Sequence, residues 1–286
     1  MIAITAASGN LGRLVLEDLL GRGVPAEGIR AVVRDETKLA DFAERGVEVV
    51  SGDYTDAEGL ATALAGAEKL LLISSAGPNE ERIKHHLNAL AAAKQAGVKH
   101  VVYTSIARAD TNAIAFSWVH KDTETAIRES GLAFTILRNN WYFENALGAV
   151  GAALEHGAII GASGEGKIAY ATRADYAAAA AVALTGAGHE GKTYELTGDV
   201  AISQAELAAE ISAQSGKPVA FAPLSEAEYA KALEGFGLPA EIAGDLAQAD
   251  VAISQGALAT TTDALATLIG RPTTTVAAAV AEALGR

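Results

Sequence analysis

The N-terminus of the chain carries a strand, a small-residue turn and the start of a helix in quick succession. Residues 2–12 read IAITAASGNLG, with an apolar strand first and a helical pattern from Leu11. Such a turn binds anions, most often a pyrophosphate, because backbone N–H groups and the helix dipole point at the ligand. The turn therefore predicts dinucleotide contacts at Ala6, Ala7, Ser8, Gly9, Asn10, Leu11 and Gly12.

The turn departs from the usual dinucleotide fingerprint at its first position. The pattern G-x-x-G-x-x-G is present as Ala6-x-x-Gly9-x-x-Gly12. A Cβ at this tight turn costs space unless φ is negative there. With a negative φ, an Ala6→Gly change would leave cofactor binding as it is. The small residues still let the backbone approach a phosphate.

The first 140 residues alternate between strand and helix patterns. Apolar, β-branched runs predict buried strands at Ile29–Val33, Val47–Val50, Leu70–Ile73, Val98–Thr104 and Ala133–Leu137. Amphipathic runs predict helices near Leu11–Leu20, Thr37–Glu44, Ala57–Leu64, Glu80–Ala96 and Phe116–Glu129. Buried strands separated by helices indicate an α/β fold, a doubly wound parallel Rossmann sheet with helices on both faces.

The pattern changes after Asn145. A flexible loop is expected at Gly161–Gly166, an Ala-rich helix within Tyr170–Ala181 and one more strand at Thr193–Leu196. From Ser203 onward the pattern is almost wholly helical. We therefore expect a Rossmann domain at 1–140 plus about 166–187, and a smaller, mostly helical lobe at about 141–165 plus 188–286 that caps the carboxyl ends of the strands.

Composition and charge exclude several classes of protein. A net charge of −13 argues against nucleic-acid binding, which needs a basic surface. The chain has no cysteine, hence no disulfide, thiolate ligand or cysteine nucleophile, and it shows no metal-ligand cluster. The longest apolar tract, Ala177–Leu184, is too short to span a bilayer. Because a core strand starts at the N-terminus, with no room for a signal peptide, we expect a cytoplasmic protein without a membrane partner.

The end of the second predicted strand indicates which dinucleotide binds. Arg34 follows that strand, where an arginine accommodates the 2′-phosphate of NADP and an acidic residue binds the ribose of NAD. Lys38 adds positive charge one helical turn later. Asp35 complicates this reading, because it could take the acidic role. The sequence favours NADP(H) over NAD(H).

The next two strand ends carry further candidates for the cofactor site. Asp53 can accept a hydrogen bond from the adenine amino group, and Tyr54 can pack beside the ring. Asp53 could equally belong to the N-terminal turn of the following helix, although Asp56 fits that capping role better. Ser74 and Ser75 suit a nearby ribose or pyrophosphate, although a plain loop explains them equally well.

Longer motifs resemble the NmrA-like atypical short-chain dehydrogenases/reductases, and within them the quinone-reductase and triphenylmethane-reductase type. These motifs are LLLISS at 70–75, LRNNWYFEN at 137–145, LEHG at 154–157, ATRADYA at 171–177 and GRPTTT at 270–275. The resemblance covers nearly the whole chain. It implies a Rossmann domain, a small helical lobe, and NADP(H) bound with its nicotinamide in the cleft between them.

The catalytic Tyr-x-x-x-Lys pair usual in short-chain dehydrogenases is altered. The equivalent window is 116–120, where Phe116 has no proton to donate and His120 stands in place of the lysine. His120 could bond a ribose hydroxyl or relay a proton, or it could be a helix cap. Lys121 is expected to face solvent. The remaining hydroxyl candidates are Tyr103, Thr104, Ser105 and Tyr142, of which Thr104 and Ser105 also stand as candidate cofactor contacts.

The loop after the sixth strand approaches the nicotinamide and the substrate in members of the family. By resemblance, Asn139 and Asn140 offer donors and acceptors to the cofactor, Asn139 also being a catalytic candidate. Trp141 is expected at the cofactor as well. Trp141, Tyr142 and Phe143 could stack on a planar substrate, or could anchor the second lobe.

These residues together predict an NADPH-dependent oxidoreductase that passes a hydride to a quinone-like or other conjugated acceptor. Such acceptors stabilise the incoming charge themselves, so that little proton donation is needed. The alternatives are a non-catalytic NADP(H) redox sensor, and a carbonyl reductase or alcohol dehydrogenase with a substitute for the missing tyrosine. The expected partner is a small planar or carbonyl substrate. Whether the protein assembles as a homodimer stays open.

Overall fold

A computed structural model describes the whole chain, residues 1–286. Its strands are β1 (Ile2–Thr5), β2 (Ile29–Val33), β3 (Glu48–Ser51), β4 (Lys69–Leu72), β5 (His100–Ile106), β6 (Ala133–Asn139), β7 (Ala158–Gly161), β8 (Lys167–Ile168), β9 (Lys192–Leu196), β10 (Ile202–Ser203) and β11 (Ala220–Pro223).

The chain has thirteen α-helices, five before β6 and eight after it. They are α1 (Asn10–Gly21), α2 (Ala40–Ala43), α3 (Ala57–Ala63), α4 (Asn79–Gln95), α5 (Ser117–Glu129), α6 (Phe143–Leu147), α7 (Val150–His156), α8 (Arg173–Thr185), α9 (Gln204–Ser215), α10 (Glu226–Gly235), α11 (Ala240–Ser254), α12 (Ala264–Ile269) and α13 (Val276–Ala283).

The main sheet has seven strands, six of them from the first half of the chain. Its strand order is β3-β2-β1-β4-β5-β6-β9, and the pairs from β3 through β6 are parallel. The chain order reverses between β1 and β4. In doubly wound sheets, ligands bind outside the carboxyl ends of the strands at this switch point. The predicted Rossmann fold is confirmed, and the turn after β1 and the segment after β4 both lie at the switch.

The predicted elements of the first half are present with shifted ends, and one is divided. The expected helix at Thr37–Glu44 is a 3₁₀ turn at Glu36–Leu39 followed by α2. Asp35 begins that turn as its N-cap, because its side chain accepts the Thr37 N–H.

The expectation of an almost wholly helical chain after Ser203 is wrong at one strand. β11 pairs in parallel with β7, in the register Ala220↔Ala158 to Pro223↔Gly161. The two strands lie far apart in sequence, so local periodicity could not reveal the pairing.

The chain forms two compact units. The first comprises 1–109, 118–139 and 176–194, and the second comprises 110–117, 140–175 and 195–286. Relative to the predicted domains, 110–117 and about 166–175 lie in the second unit, and about 188–194 in the first. The core of the first unit is built from buried apolar side chains such as Leu60, Leu70 and Val101.

A buried carboxylate joins two of the sequence motifs in the second unit. Asp175, at 0% exposure, accepts hydrogen bonds from the Thr172 hydroxyl (2.9 Å) and the Thr274 N–H (2.9 Å). Its other oxygen lies 2.7 Å from an Arg271 guanidinium nitrogen. The segments ATRADYA and GRPTTT are thus in direct contact. None of the helices combines the length and the apolar character needed to cross a bilayer.

Candidate functional site

The turn after β1 holds Ala6 in a left-handed conformation. Its φ is +51°, so the condition under which a Cβ would fit this turn without cost, a negative φ, is not met. The Gly9 N–H bonds to the Ala6 carbonyl (3.0 Å) and the Ala7 N–H to the Val32 carbonyl (3.3 Å), which fixes the turn in this shape. A residue with a Cβ pays about 1–2 kcal/mol for such a conformation, a cost that glycine avoids.

The N-terminus of α1 is shaped to receive an anion. A Cβ on Gly12 would lie 2.7 Å from the Ala6 and Ala7 carbonyl oxygens, so only glycine lets the helix pack this close to the turn. No side chain caps the helix at Gly9, and its first turn holds no acidic residue. The first N–H groups of the helix are therefore available to a pyrophosphate, which fits the predicted dinucleotide.

Two residues after the carboxyl end of β2, Arg34 and Asp35, are candidates for contacts with the ribose of the cofactor, and their surroundings differ. Arg34 is exposed directly after the strand. The Asp35 carboxylate instead accepts hydrogen bonds from the Thr37 N–H (3.1 Å) and hydroxyl (2.6 Å), which lower its pKa. Because Asp35 is engaged in its own turn, the geometry favours the arginine and hence a 2′-phosphate. Lys38 is exposed on the same turn, where its carbonyl accepts a hydrogen bond from Arg13 (2.9 Å).

The segment after β3 is held by hydrogen bonds of its own. Asp53 accepts from the Thr55 N–H and hydroxyl, both at 2.8 Å; these bonds, with the nearby Arg34 charge, lower its pKa. The Tyr54 hydroxyl bonds to the Ile73 carbonyl (2.6 Å) and the Thr5 hydroxyl (2.7 Å), which ties the ends of β1 and β4 together. The predicted adenine contacts of Asp53 and Tyr54 stay predictions.

Ser74 and Ser75 are positioned through their backbone N–H groups. The Ser74 N–H donates to the Thr104 hydroxyl and the Ser75 N–H to Nε2 of His86, each at 2.9 Å. Since that nitrogen accepts, Nδ1 of His86 carries the proton and donates to Thr123 (2.9 Å). Burial and the charge of Arg82 lower the pKa of His86 to about 3. A neutral, buried histidine thus fixes the segment that carries both serines.

His120 lies in the interior of the first unit, bonded at both ring nitrogens. Its Nε2 is 3.0 Å from an Arg82 guanidinium nitrogen, which can only donate, so the ring proton is on Nδ1. Nδ1 lies 2.9 Å from the Tyr103 hydroxyl. Burial lowers the pKa of His120 well below its usual value and raises the pKa of Tyr103. The predicted catalytic roles of both stay predictions, and a role for His120 would require Arg82 to move.

Two further candidates on β5 and β6 are also buried. The Ser105 hydroxyl donates to Glu124 (2.6 Å), a buried carboxylate that also binds Arg138 (2.7 and 2.8 Å). The Ser105 hydroxyl thus has a structural partner, and its predicted cofactor contact stays a prediction. Asn139 ends β6 at 4% exposure, and its carbonyl accepts the Ala107 N–H (2.9 Å).

The second unit contains residues 140–143, here called the aromatic loop. All four are predicted site residues, and their surroundings differ. Both polar groups of the Asn140 side chain are bonded within the unit: its NH₂ group donates to the Leu258 carbonyl (3.2 Å), and its oxygen accepts the Trp141 N–H (2.7 Å). Phe143 is 3% exposed and stacks on Tyr170 with ring centroids 5.0 Å apart. The Phe143 ring is part of the core, which agrees with its alternative role as an anchor of the second unit, and its predicted substrate contact stays a prediction.

Tyr142 and Trp141 are both half-buried. The Tyr142 ring lies under the Arg173 guanidinium, 5.1 Å from its centroid. Trp141 stacks on Phe116 with ring centroids 6.3 Å apart. Gln248 holds the backbone just before Phe116, because it accepts the Ala115 N–H and donates to the Ala113 carbonyl. Phe116, which the sequence predicts at the position of the usual catalytic tyrosine, is one half of an aromatic pair. Lys121 is exposed, as expected.

A cavity of about 670 Å³ lies within the second unit. Mostly apolar side chains from α7, β7, α10 and α11 line the cavity, and the Trp141 ring is also part of its wall. Gln204, Tyr229 and Asp250 add polar groups. Such a cavity, apolar with a few polar groups, has the size and chemistry of a small-molecule site. No sequence pattern indicated Tyr229 or Asp250, because they belong to no motif and lie about 90 residues or more beyond the aromatic loop.

Comparisons with known proteins agree with this geometry. A family model described as NAD(P)H-binding matches residues 6–186. The chain is 51% identical over 280 residues to a protein of Escherichia coli strain K12 named quinone oxidoreductase 2, which covers 98% of this chain and 97% of the relative. The chain therefore belongs to the NAD(P)H-binding family, and the predicted resemblance is confirmed.

Solved structures show the same fold over almost the whole chain. The NADPH complex of the E. coli quinone oxidoreductase has a TM-score of 0.95 at 50% identity, covering 99% of this chain and 100% of the other. The Citrobacter triphenylmethane reductase complexed with NADP(H) has a TM-score of 0.93 at 41% identity, with the same coverage. Both relatives are named as reductases.

Proposed function

We propose that this protein is an NADPH-dependent oxidoreductase that passes a hydride to a quinone or another conjugated acceptor. The observation that carries the proposal is the full-length identity of 51% to a quinone oxidoreductase. The proposal is also supported by the residues expected to bind the cofactor and by those that line the cavity for the acceptor.

For the cofactor, the open N-terminus of α1 takes the pyrophosphate, and Arg34 takes the 2′-phosphate. Gly12 leaves room for the close approach of the turn. Asp35 accepts both Thr37 hydrogen bonds at Oδ1 and thereby caps its own turn, which leaves Arg34 as the favoured contact of the ribose phosphate. When bound, NADPH supplies the hydride.

For the acceptor, the cavity of the second unit offers an apolar, partly aromatic site. Its volume of about 670 Å³ suits a ring system of one to three fused rings, and Trp141 offers a face for stacking. This observation favours an enzyme over a non-catalytic sensor. A carbonyl reductase that uses His120 as its acid is disfavoured, because His120 is neutral and accepts a hydrogen bond from Arg82.

The proposal is tested by steady-state assays of the purified protein. We expect NADPH to be oxidised with menadione, more slowly with a cationic triarylmethane dye, and hardly at all with cyclohexanone. NADH should be a poorer donor than NADPH. Efficient reduction of cyclohexanone without reduction of menadione would contradict the proposal. Binding of NADPH without any turnover would favour the sensor.

A further inference from the structure

Asp250 is the one carboxyl group in the wall of the second unit's cavity. It is placed by α11, and its Oδ2 accepts the Ala162 N–H at 2.7 Å. Gly161, at the end of β7, makes this approach feasible, because a Cβ there would lie 2.7 Å from the same oxygen. One oxygen of the carboxyl is thus tied to the backbone, and the group is held at a fixed point of the cavity wall.

The surroundings of Asp250 contain no cation that acts on it. Burial dominates and raises the pKa of Asp250 to about 6, against the lowering effect of hydrogen bonds from the Ala162 and Ser163 N–H groups. The titratable groups around it are Tyr229 on α10, Tyr170 after β8, and His156, which lines the cavity at the end of α7. Burial and the charge of Asp250 raise the pKa of Tyr229 to about 12.

The first unit offers no comparable acid. Tyr103 and His120 are bonded to each other and buried. In the second unit, Phe116, at the position that the sequence predicts for the usual tyrosine, has no proton to donate. An acid whose pKa lies near the working pH donates a proton readily and also takes one up again from water. The cavity carboxyl meets that condition, and the Tyr229 phenol does not.

We propose that Asp250 is the catalytic acid that protonates the reduced acceptor, an inference that rests on the proposed function. Transfer of a hydride to a quinone gives the monoanion of the hydroquinone. The proton of the Asp250 carboxyl passes to the anionic oxygen, which leaves the neutral hydroquinone and an Asp250 carboxylate. Water then returns a proton to the carboxylate.

The test compares the wild type with Asp250→Asn, an isosteric change that keeps an oxygen for the Ala162 N–H. With menadione, we expect wild-type kcat/KM to fall as the pH rises above about 6, and the acidic limb to show a solvent deuterium isotope effect. Asp250→Asn should lose this pH dependence and the isotope effect, with a rate at low pH lower by about 10²-fold. Infrared spectra of the cofactor-free protein should show a protonated carboxyl that the variant lacks.

Glu241→Gln is the matched control, since Glu241 is an exposed carboxylate on the same helix. Its pH profile should match that of the wild type. The inference is overturned if Asp250→Asn keeps the wild-type rate and pH profile, or if the wild type shows no solvent isotope effect. Failure of the wild type to reduce any quinone would instead overturn the proposed function, so the two failures are distinguishable.

Discussion

The Tyr103 hydroxyl lies 2.9 Å from Nδ1 of His120, and both groups are buried. Because Arg82 donates to the other ring nitrogen, His120 is neutral, with its proton on the side of Tyr103. Two residues that sequence reasoning proposed as catalytic are thus partners in one structural network. The charge of Arg82 also acts on His86, so the network extends to the segment of Ser75.

This network predicts how stability depends on pH. A histidine with a lowered pKa takes up a proton in the unfolded chain at a higher pH than in the folded protein. Below about pH 6.5, falling pH therefore favours unfolding, by up to about 1.4 kcal/mol per pH unit for each such histidine. We expect the free energy of unfolding, measured with urea, to decrease from about pH 7 to pH 5.

His120→Gln isolates one contribution to this slope, because glutamine keeps an acceptor for Arg82 but does not titrate. The variant should be less stable at neutral pH, by about 1–3 kcal/mol, since Tyr103 loses its fitted partner. It should also lose less stability on acidification than the wild type does. An unchanged slope would show that His120 is not buried and neutral in solution.

Arg34→Ala should weaken NADPH binding and leave NADH binding nearly unaltered. A charge-assisted contact to the 2′-phosphate contributes about 1.5–3 kcal/mol, which corresponds to at least about a tenfold change in Kd. Asp35→Asn is the companion variant: because Asp35 is engaged by Thr37, it should not lower the affinity for NADH. Both constants can be measured by fluorescence titration, and equal losses for the two cofactors would contradict the assignment.

Ala6→Gly should stabilise the protein. With φ at +51°, the alanine is strained, and relief of this strain is worth about 1 kcal/mol after the larger unfolded-state entropy of glycine is subtracted. Thermal unfolding measures the change. Binding of NADPH should stay close to that of the wild type, because the backbone of the turn is retained. A destabilised variant would mean that Ala6 has an ordinary φ in solution.

Local sequence patterns predicted much of the fold but little of the detail of the site. Strands such as β2 are continuous apolar, β-branched runs, which a buried parallel sheet requires. The positive φ of Ala6 is imposed by hydrogen bonds around the turn, so residue type alone did not indicate it. The acid of the cavity wall, Asp250, and the pairing of β11 with β7 depend on contacts between distant parts of the chain, which no local motif reports.

Asp175→Ala should destabilise the second unit by about 1–3 kcal/mol. The change removes the acceptor of the half-buried Thr274 N–H and of the buried Thr172 hydroxyl, and a donor left unpaired in the interior carries that cost. Arg271→Ala removes only the ion pair. Because Arg271 is half-exposed, that variant should lose at most about 1 kcal/mol. Urea unfolding distinguishes the two, and equal losses would show that the ion pair dominates.

The aromatic loop predicts opposite effects for two neighbouring rings. Phe143→Ala removes a buried ring from its stack on Tyr170 and should cost about 3–5 kcal/mol of stability. Trp141→Ala removes a half-buried ring from the cavity wall and should cost clearly less stability, because less of its surface is buried. Thermal unfolding of both variants measures this part.

The acceptor kinetics complete the comparison. Trp141→Ala should raise KM for menadione several-fold, because loss of an aromatic contact of about 0.5–1.5 kcal/mol weakens acceptor binding. Phe143→Leu, which keeps an apolar side chain in the core, should leave KM close to the wild-type value. If Phe143→Leu raised KM while Trp141→Ala did not, the acceptor would lie against the Phe143 side of the loop, and the cavity lined by Trp141 would not be its site.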